Sequence, residues 1–199
     1  MSTLNRILLA RQFAVASHGD QLYGKTFPYE YHLEKVQSVR QRFVTSDMIS
    51  GYGLSEEDII KAIWLHDVVE DTCIPLSILR VVFGDTVARL VDAVTDAKLP
   101  NANRKLRHWD TPSCPGPYSK IPVTNGSILV KLCDRIANVE AGIASIQKMK
   151  DPPKGGTLID MYRKEHVEFY KTLHVQYSPS EPLWSHLNNL LDFDEKDIS

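Results

Sequence analysis

Four side chains able to hold a cation or move a proton crowd the stretch LHDVVEDT, Leu65 to Thr72. His66 and Asp67 are adjacent, and Glu70 and Asp71 each follow four residues later. At about 100° per residue, a helix stacks His66 over Glu70 and Asp67 over Asp71, giving two neighbouring columns on one side. The flanking Ile59, Ile60, Ile63, Trp64, Leu65, Val68 and Val69 belong to a buried helix. Charges inside an apolar environment need partners. Acids in the last turns also face the negative end of the helix dipole, at a cost of roughly 0.3–1 kcal/mol each. Two readings remain open from the residues alone. Either a cation or a basic substrate pocket compensates the acids, or the helix end is solvated and His66 is a satisfied core histidine.

Two further groups carry the same kinds of side chain. Lys131, Asp134, Arg135 and Asn138 fall at helical spacings of 3, 4 and 7, so they share a polar face. Leu129, Leu132, Ile136, Val139 and Ile143 share an apolar one. Salt bridging of Lys131 and Arg135 with the acids would explain that polar stripe without any ligand. The third group is FPYEYH, where Pro28 stiffens the turn before His32.

The elements that must position these residues read almost entirely as helices. Leu4, Ile7, Leu8, Arg11 and Val15 mark an opening helix, and Tyr31 to Phe43 a second with Val36 and Val39 inward. LSEEDIIKAIWLHDVVED reads as one helix running through to Thr72, with Ser55 as N-cap and Asp58 at the capping-box position. Pro75 opens PLSILRVVF, which Gly84 ends. DTVARLVDAVTDA, SILVKLCDRIANVEAGIASIQKM, TLIDMYRKEHVEFYKTLH and PLWSHLNNLLDF follow as helices. Residues 108–126 hold four prolines and two glycines and read as a long irregular loop. No stretch alternates with period two long enough to argue for a sheet. The expectation is an all-α fold of about seven to nine helices. It forms a single domain over 1–199, with its core at about 4–176.

Composition narrows the partners. The 25 acidic and 23 basic residues give a net charge of −2, so there is no global basic field for nucleic acid. The longest N-terminal apolar stretch, Ile7 to Ala10, is cut by Arg11, and no run approaches a membrane span. Three cysteines without CxxC spacing argue against a disulfide framework or a cysteine–zinc site, and fit a cytoplasmic protein. Cys73 and Cys133 read as small core residues. His108, His166, His174 and His186 show no partner pattern and read as structural.

Taken together, FPYEYH, LHDVVEDT, DAVTDAK and VKLCDRIANVE resemble, in order and spacing, the HD-domain metal-dependent phosphohydrolases. More narrowly, the resemblance is to the alarmone hydrolase domain of the RelA/SpoT homologues and its small stand-alone relatives. It runs from about Phe13 to Tyr162 and rests on HDxxEDT with an upstream PYxxH and a downstream KLxDRxxN. It implies an HD-type helical bundle with one divalent metal ion held by His32, His66, Asp67 and Asp134. Such a ligand set allows manganese, iron, cobalt or zinc, and the resemblance implies Mn²⁺. It implies that Glu70 and Asp71 act on the nucleophilic water, and that Asn138 and Tyr162 line the ribose side of the pocket. The implied reaction is hydrolysis of the 3′-pyrophosphate of (p)ppGpp or (p)ppApp. The chain would then only degrade alarmones, with a nucleotide substrate as its partner and neither nucleic acid nor membrane.

Two places depart from that pattern. Where the family carries a basic pair after HxxQ, this chain has His18 and Gln21 but then Tyr23 and Gly24, with Lys25 following. Tyr23 can stack on a base and Lys25 can restore one charge. The 108–126 loop is longer than in the small hydrolases, and Lys98, Arg104, Lys105 and Arg107 precede it, either as a solvated face or as a polyphosphate clamp. The alternatives are an HD phosphohydrolase acting on another nucleotide (a nucleotide phosphatase or an NADPH phosphatase) and a non-catalytic nucleotide-binding HD protein.

Overall fold

A computed structural model describes residues 1–95, 118, 120–121, 126–148, 157–176, 178–194 and 196. Lys98, Arg104, Lys105, Arg107, His108, Cys114 and most of the expected loop lie outside these residues. The described elements are α1 (Thr3–His18), a hairpin of β1 (Leu22–Tyr23) and β2 (Phe27–Pro28), α2 (Tyr29–Phe43), α3 (Ser46–Gly51), α4 (Glu56–Leu65), α5 (Val68–Asp71), α6 (Leu76–Phe83), α7 (Asp85–Val94), α8 (Ser127–Gln147), α9 (Leu158–Leu173) and α10 (Glu181–Leu191). The fold is all-α with one tiny antiparallel ribbon, as expected. Among the described residues the helical segments number ten. That is one more than the expected range, and the two not read as separate helices from the sequence are short, α3 and the four-residue α5.

Helix α8 is the axis of the bundle. It touches α2, α4, α7, α9 and α10, and Ile128, Leu129, Val130, Leu132, Cys133, Ile136 and Val139 are buried along it. Helix α4 packs on α1, α2 and α7 through Ile59, Ala62, Ile63 and Leu65. Its start is fixed as expected: the Ser55 hydroxyl accepts the Asp58 N–H at 3.1 Å and donates to the Asp58 carboxylate at 2.8 Å. Glycine permits one close approach, since a Cβ on Gly142 of α8 would stand 2.7 Å from the Ile159 side chain of α9.

Three expectations are corrected. The helix expected to run through to Thr72 ends at Leu65, and α5 restarts at Val68. In an unbroken helix the Ile63 carbonyl would accept the Asp67 N–H. Here the His66 ring nitrogen Nδ1 approaches that carbonyl at 2.8 Å, and the chain turns. The imidazole and three acids therefore do not sit at the end of one long helix dipole. The opening helix is present as expected, and α1 buries Ala10, Ala14 and His18 while Leu4 and Leu8 stay exposed. Cys73 is exposed in the bend after α5, whereas Cys133 is buried as expected. Arg135 leaves the polar stripe of α8: its guanidinium lies 4.7 Å over the Tyr162 ring and 4.2 Å over Phe169. Among the described residues, no helix is long and apolar enough to cross a membrane.

Candidate metal centre

Three segments far apart in sequence converge on one point. Pro28 ends the hairpin and starts α2, placing His32 one turn in. The break between α4 and α5 turns His66 and Asp67 the same way, and α8 delivers Asp134 from its first half. His66 Nε2 is 3.0 Å from Asp67 Oδ2 and 3.7 Å from Asp134 Oδ1. His32 Nε2 is 3.3 Å from Asp67 Oδ2, 3.4 Å from Asp134 Oδ1 and 3.4 Å from His66 Nε2. Ligand atoms of His32, His66 and Asp134 all lie within 4.8 Å of one another.

These residues fit a divalent cation. A carbonyl only accepts, so His66 Nδ1 carries a proton toward Ile63 O and the neutral ring presents its lone pair at Nε2. Ligand atoms ~2.1 Å from an ion and at right angles to each other are separated by about 3 Å, close to the spacings seen. Two imidazoles and two carboxylates also leave positions for water and substrate on a six-coordinate ion. The charges agree. Burial disfavours the imidazolium of His66, yet the Asp67 charge and hydrogen bonds to Asp134 and Asp67 outweigh it and hold the ring well above its usual range. Burial likewise opposes a charged Asp67, and the neighbouring histidines pull its carboxyl well below the usual range. The cluster concentrates negative charge that a cation would satisfy in place of protons.

A second ring of contacts holds the first. The Tyr29 hydroxyl donates to Asp67 Oδ2 at 2.5 Å, and the Tyr29 ring stacks on His18 with centroids 4.1 Å apart. Gln21 Nε2 donates to Asp71 Oδ2 at 3.0 Å. Its Oε1 therefore faces His18 Nδ1 at 2.9 Å, and that nitrogen must carry the proton. The Tyr23 ring stacks on His32, with centroids 4.9 Å apart and planes 15° apart. Its hydroxyl donates to Asn138 Oδ1 at 2.9 Å, and Asn138 Nδ2 donates to Asp134 Oδ1 at 2.6 Å.

The structure thus gathers His32, His66, Asp67, Asp134, Asn138 and Tyr23, with Asp71 joined through Gln21. Glu70 is half-buried and Asp71 exposed, in the turn directly after Asp67. Lys25 is exposed at the tip of the hairpin, with a left-handed φ of 69°. Tyr162 is buried, its ring under the Arg135 guanidinium and its carbonyl 3.3 Å from Arg135 Nη2, as part of the packing of α8 on α9. His166, His174 and His186 meet Asn188, Glu181 and Glu140, structural roles as expected. Sequence reasoning assigned no role to Tyr29. Its position three residues before His32 on the same helix was the available signal.

An all-α bundle whose histidine–aspartate pair at a helix break meets a second histidine and a distant aspartate has the arrangement of the HD-type fold. No protein-family model matches the chain. Among curated proteins, guanosine-3′,5′-bis(diphosphate) 3′-pyrophosphohydrolase MESH1 of Danio rerio is 39% identical over 88 residues, covering 43% of this chain and 44% of that protein. The MESH1 protein of Homo sapiens is 38% identical over 88 residues, covering 44% and 45%. The guanosine-3′,5′-bis(diphosphate) 3′-pyrophosphohydrolase of Aquifex aeolicus (strain VF5) is 30% identical over 135 residues, covering 66% of this chain and 17% of that protein. The match thus spans less than half the length of each of these relatives. The solved structure of a metazoan ortholog of SpoT, described as hydrolysing ppGpp, superposes with a TM-score of 0.61 at 22% identity, covering 98% of this chain and 97% of that one. The likeness read from the motifs is therefore a likeness of sequence to named 3′-pyrophosphohydrolases and of fold to an HD-type structure.

Proposed function

We propose that this protein is a metal-dependent hydrolase that removes the 3′-pyrophosphate of alarmone nucleotides, ppGpp first and (p)ppApp or pppGpp by the same chemistry, using Mn²⁺. The observation that carries the reading is the convergence of two imidazoles and two carboxylates with Asp71 one turn beyond Asp67. The named activities of the similar proteins select the substrate class. A divalent ion held by His32, His66, Asp67 and Asp134 would supply positive charge to polarise the phosphate and acidify a water. Asp71 is held in one orientation by the Gln21 amide, and its other carboxylate oxygen remains an acceptor for that water's proton. Glu70, on the same turn, would help to orient that water while Asp71 takes the proton. Tyr29 keeps Asp67 in its ligating orientation.

The test is turnover of ppGpp, ppApp, NADPH and deoxynucleotides with Mn²⁺, scored for pyrophosphate against orthophosphate. Pyrophosphate from the alarmones alone supports the reading, and orthophosphate from the others replaces it with a different nucleotide phosphatase. The double variant E70Q/D71N lowers kcat by about 10²–10⁴-fold while Mn²⁺ stays bound. Undiminished hydrolysis would refute the roles given to these two acids.

A further inference from the structure

We propose that Tyr23 is a positioning residue of the metal centre, fixing Asp134 through Asn138 and the His32 ring through stacking. The inference rests on the metal site proposed above and goes beyond it. The hairpin sets the geometry. Tyr23 pairs with Phe27 across the ribbon, and the Tyr29 N–H donates to Gln21 O at 3.0 Å, so the ribbon is closed onto the first turn of α2, where His32 stands. One face of the Tyr23 ring is thereby covered by the His32 imidazole.

The hydrogen-bond inventory gives the rest. Asn138 has two amide hydrogens and one carbonyl oxygen. Its Nδ2 meets Asp134 Oδ1 at 2.6 Å and the Asp134 backbone carbonyl at 3.1 Å, so the amide nitrogen faces Asp134. Its oxygen receives the Tyr23 hydroxyl. Turning the amide over would set Asn138 Oδ1 against the Asp134 carboxylate, so Tyr23 and Asp134 require the same orientation. Asp134 Oδ1, which receives the amide hydrogen, is also the oxygen nearest His32 and His66. A chain of two hydrogen bonds therefore runs from the hairpin to the ligand oxygen, and a stacked ring holds the ligand imidazole from the same residue. In this proposal Tyr23 and Asn138 serve the ligands, a role beyond the base stacking and the ribose contact expected of them from the sequence.

The test is a titration of metal-free protein with Mn²⁺, following the free ion by electron paramagnetic resonance, with circular dichroism confirming the fold of each variant. Y23F keeps the stack and removes the hydroxyl, and it binds Mn²⁺ about ten-fold more weakly than wild type. Y23L, which also loses the stack, binds more weakly still. Adding Y23F to N138A causes little further loss, since the two act through one chain. At saturating Mn²⁺ the KM of Y23F for ppGpp stays within about two-fold of wild type. An unchanged Mn²⁺ affinity in Y23F, or a raised KM with that affinity intact, overturns the proposal. Wild type that binds no Mn²⁺ overturns it together with the metal reading. The expected affinity losses without ppGpp hydrolysis support it and remove only the substrate assignment.

Discussion

Replacing Tyr29 by phenylalanine tests the support of the cluster at one atom. The Tyr29 hydroxyl donates to the Asp67 carboxylate at 2.5 Å, and the residue is almost fully buried. Phenylalanine keeps the ring that stacks on His18 and meets His32 edge-on at 5.4 Å, so the variant deletes a charge-assisted hydrogen bond and little packing. Such bonds contribute about 1.5–3 kcal/mol. Asp67 retains His66 and His32 as neighbours, which places the expected loss at about 2 kcal/mol. For a chain of this size that lowers Tm by roughly 4–8 °C. The assay is thermal unfolding in EDTA, with D67N and the double variant completing a cycle. Burial, and after it the Asp67 charge, pushes the Tyr29 phenol far above its usual range. It stays a donor throughout, and the difference between Y29F and wild type holds from about pH 6 to 9. A Tm within about 1 °C of wild type, or a cycle with no coupling, would refute the claim that this hydroxyl anchors Asp67.

Two other perturbations separate fold from function. Lys25 holds a left-handed φ of 69° at the hairpin tip, so K25G relieves about 1 kcal/mol of strain and raises Tm, while KM for ppGpp rises only if the ammonium reaches phosphate. Burial pushes the His166 imidazole down to about 4, against a hydrogen bond to Asn188 that works the other way. The unfolded chain therefore binds the extra proton between about pH 6.5 and 4, and stability falls as pH falls through that window. Across the whole window His166 accounts for about 3 kcal/mol of that loss, and denaturant unfolding of H166Q shows a correspondingly flatter pH dependence.

The repeat of apolar residues every three or four positions, the prolines before α2 and α6, and Ser55 before α4 placed the longer helices but not the short α3 and α5, because these are local signals in the backbone's own hydrogen bonding. The residues that meet in the candidate metal centre were legible too: His66 and Asp67 are adjacent, and the spacing of the resembled family picked out His32 and Asp134. Tertiary structure alone decided the rest. Periodicity names the face of a helix but not its neighbour, so it gave Arg135 to the polar stripe, while two aromatic rings of α9 took it inward. It could not foresee the break at His66, where a side chain competes for the carbonyl that would have continued the helix. Nor could it foresee that Tyr23 meets Asn138, 115 residues away, because that contact exists only once the hairpin is folded onto α2 and α2 is packed on α8.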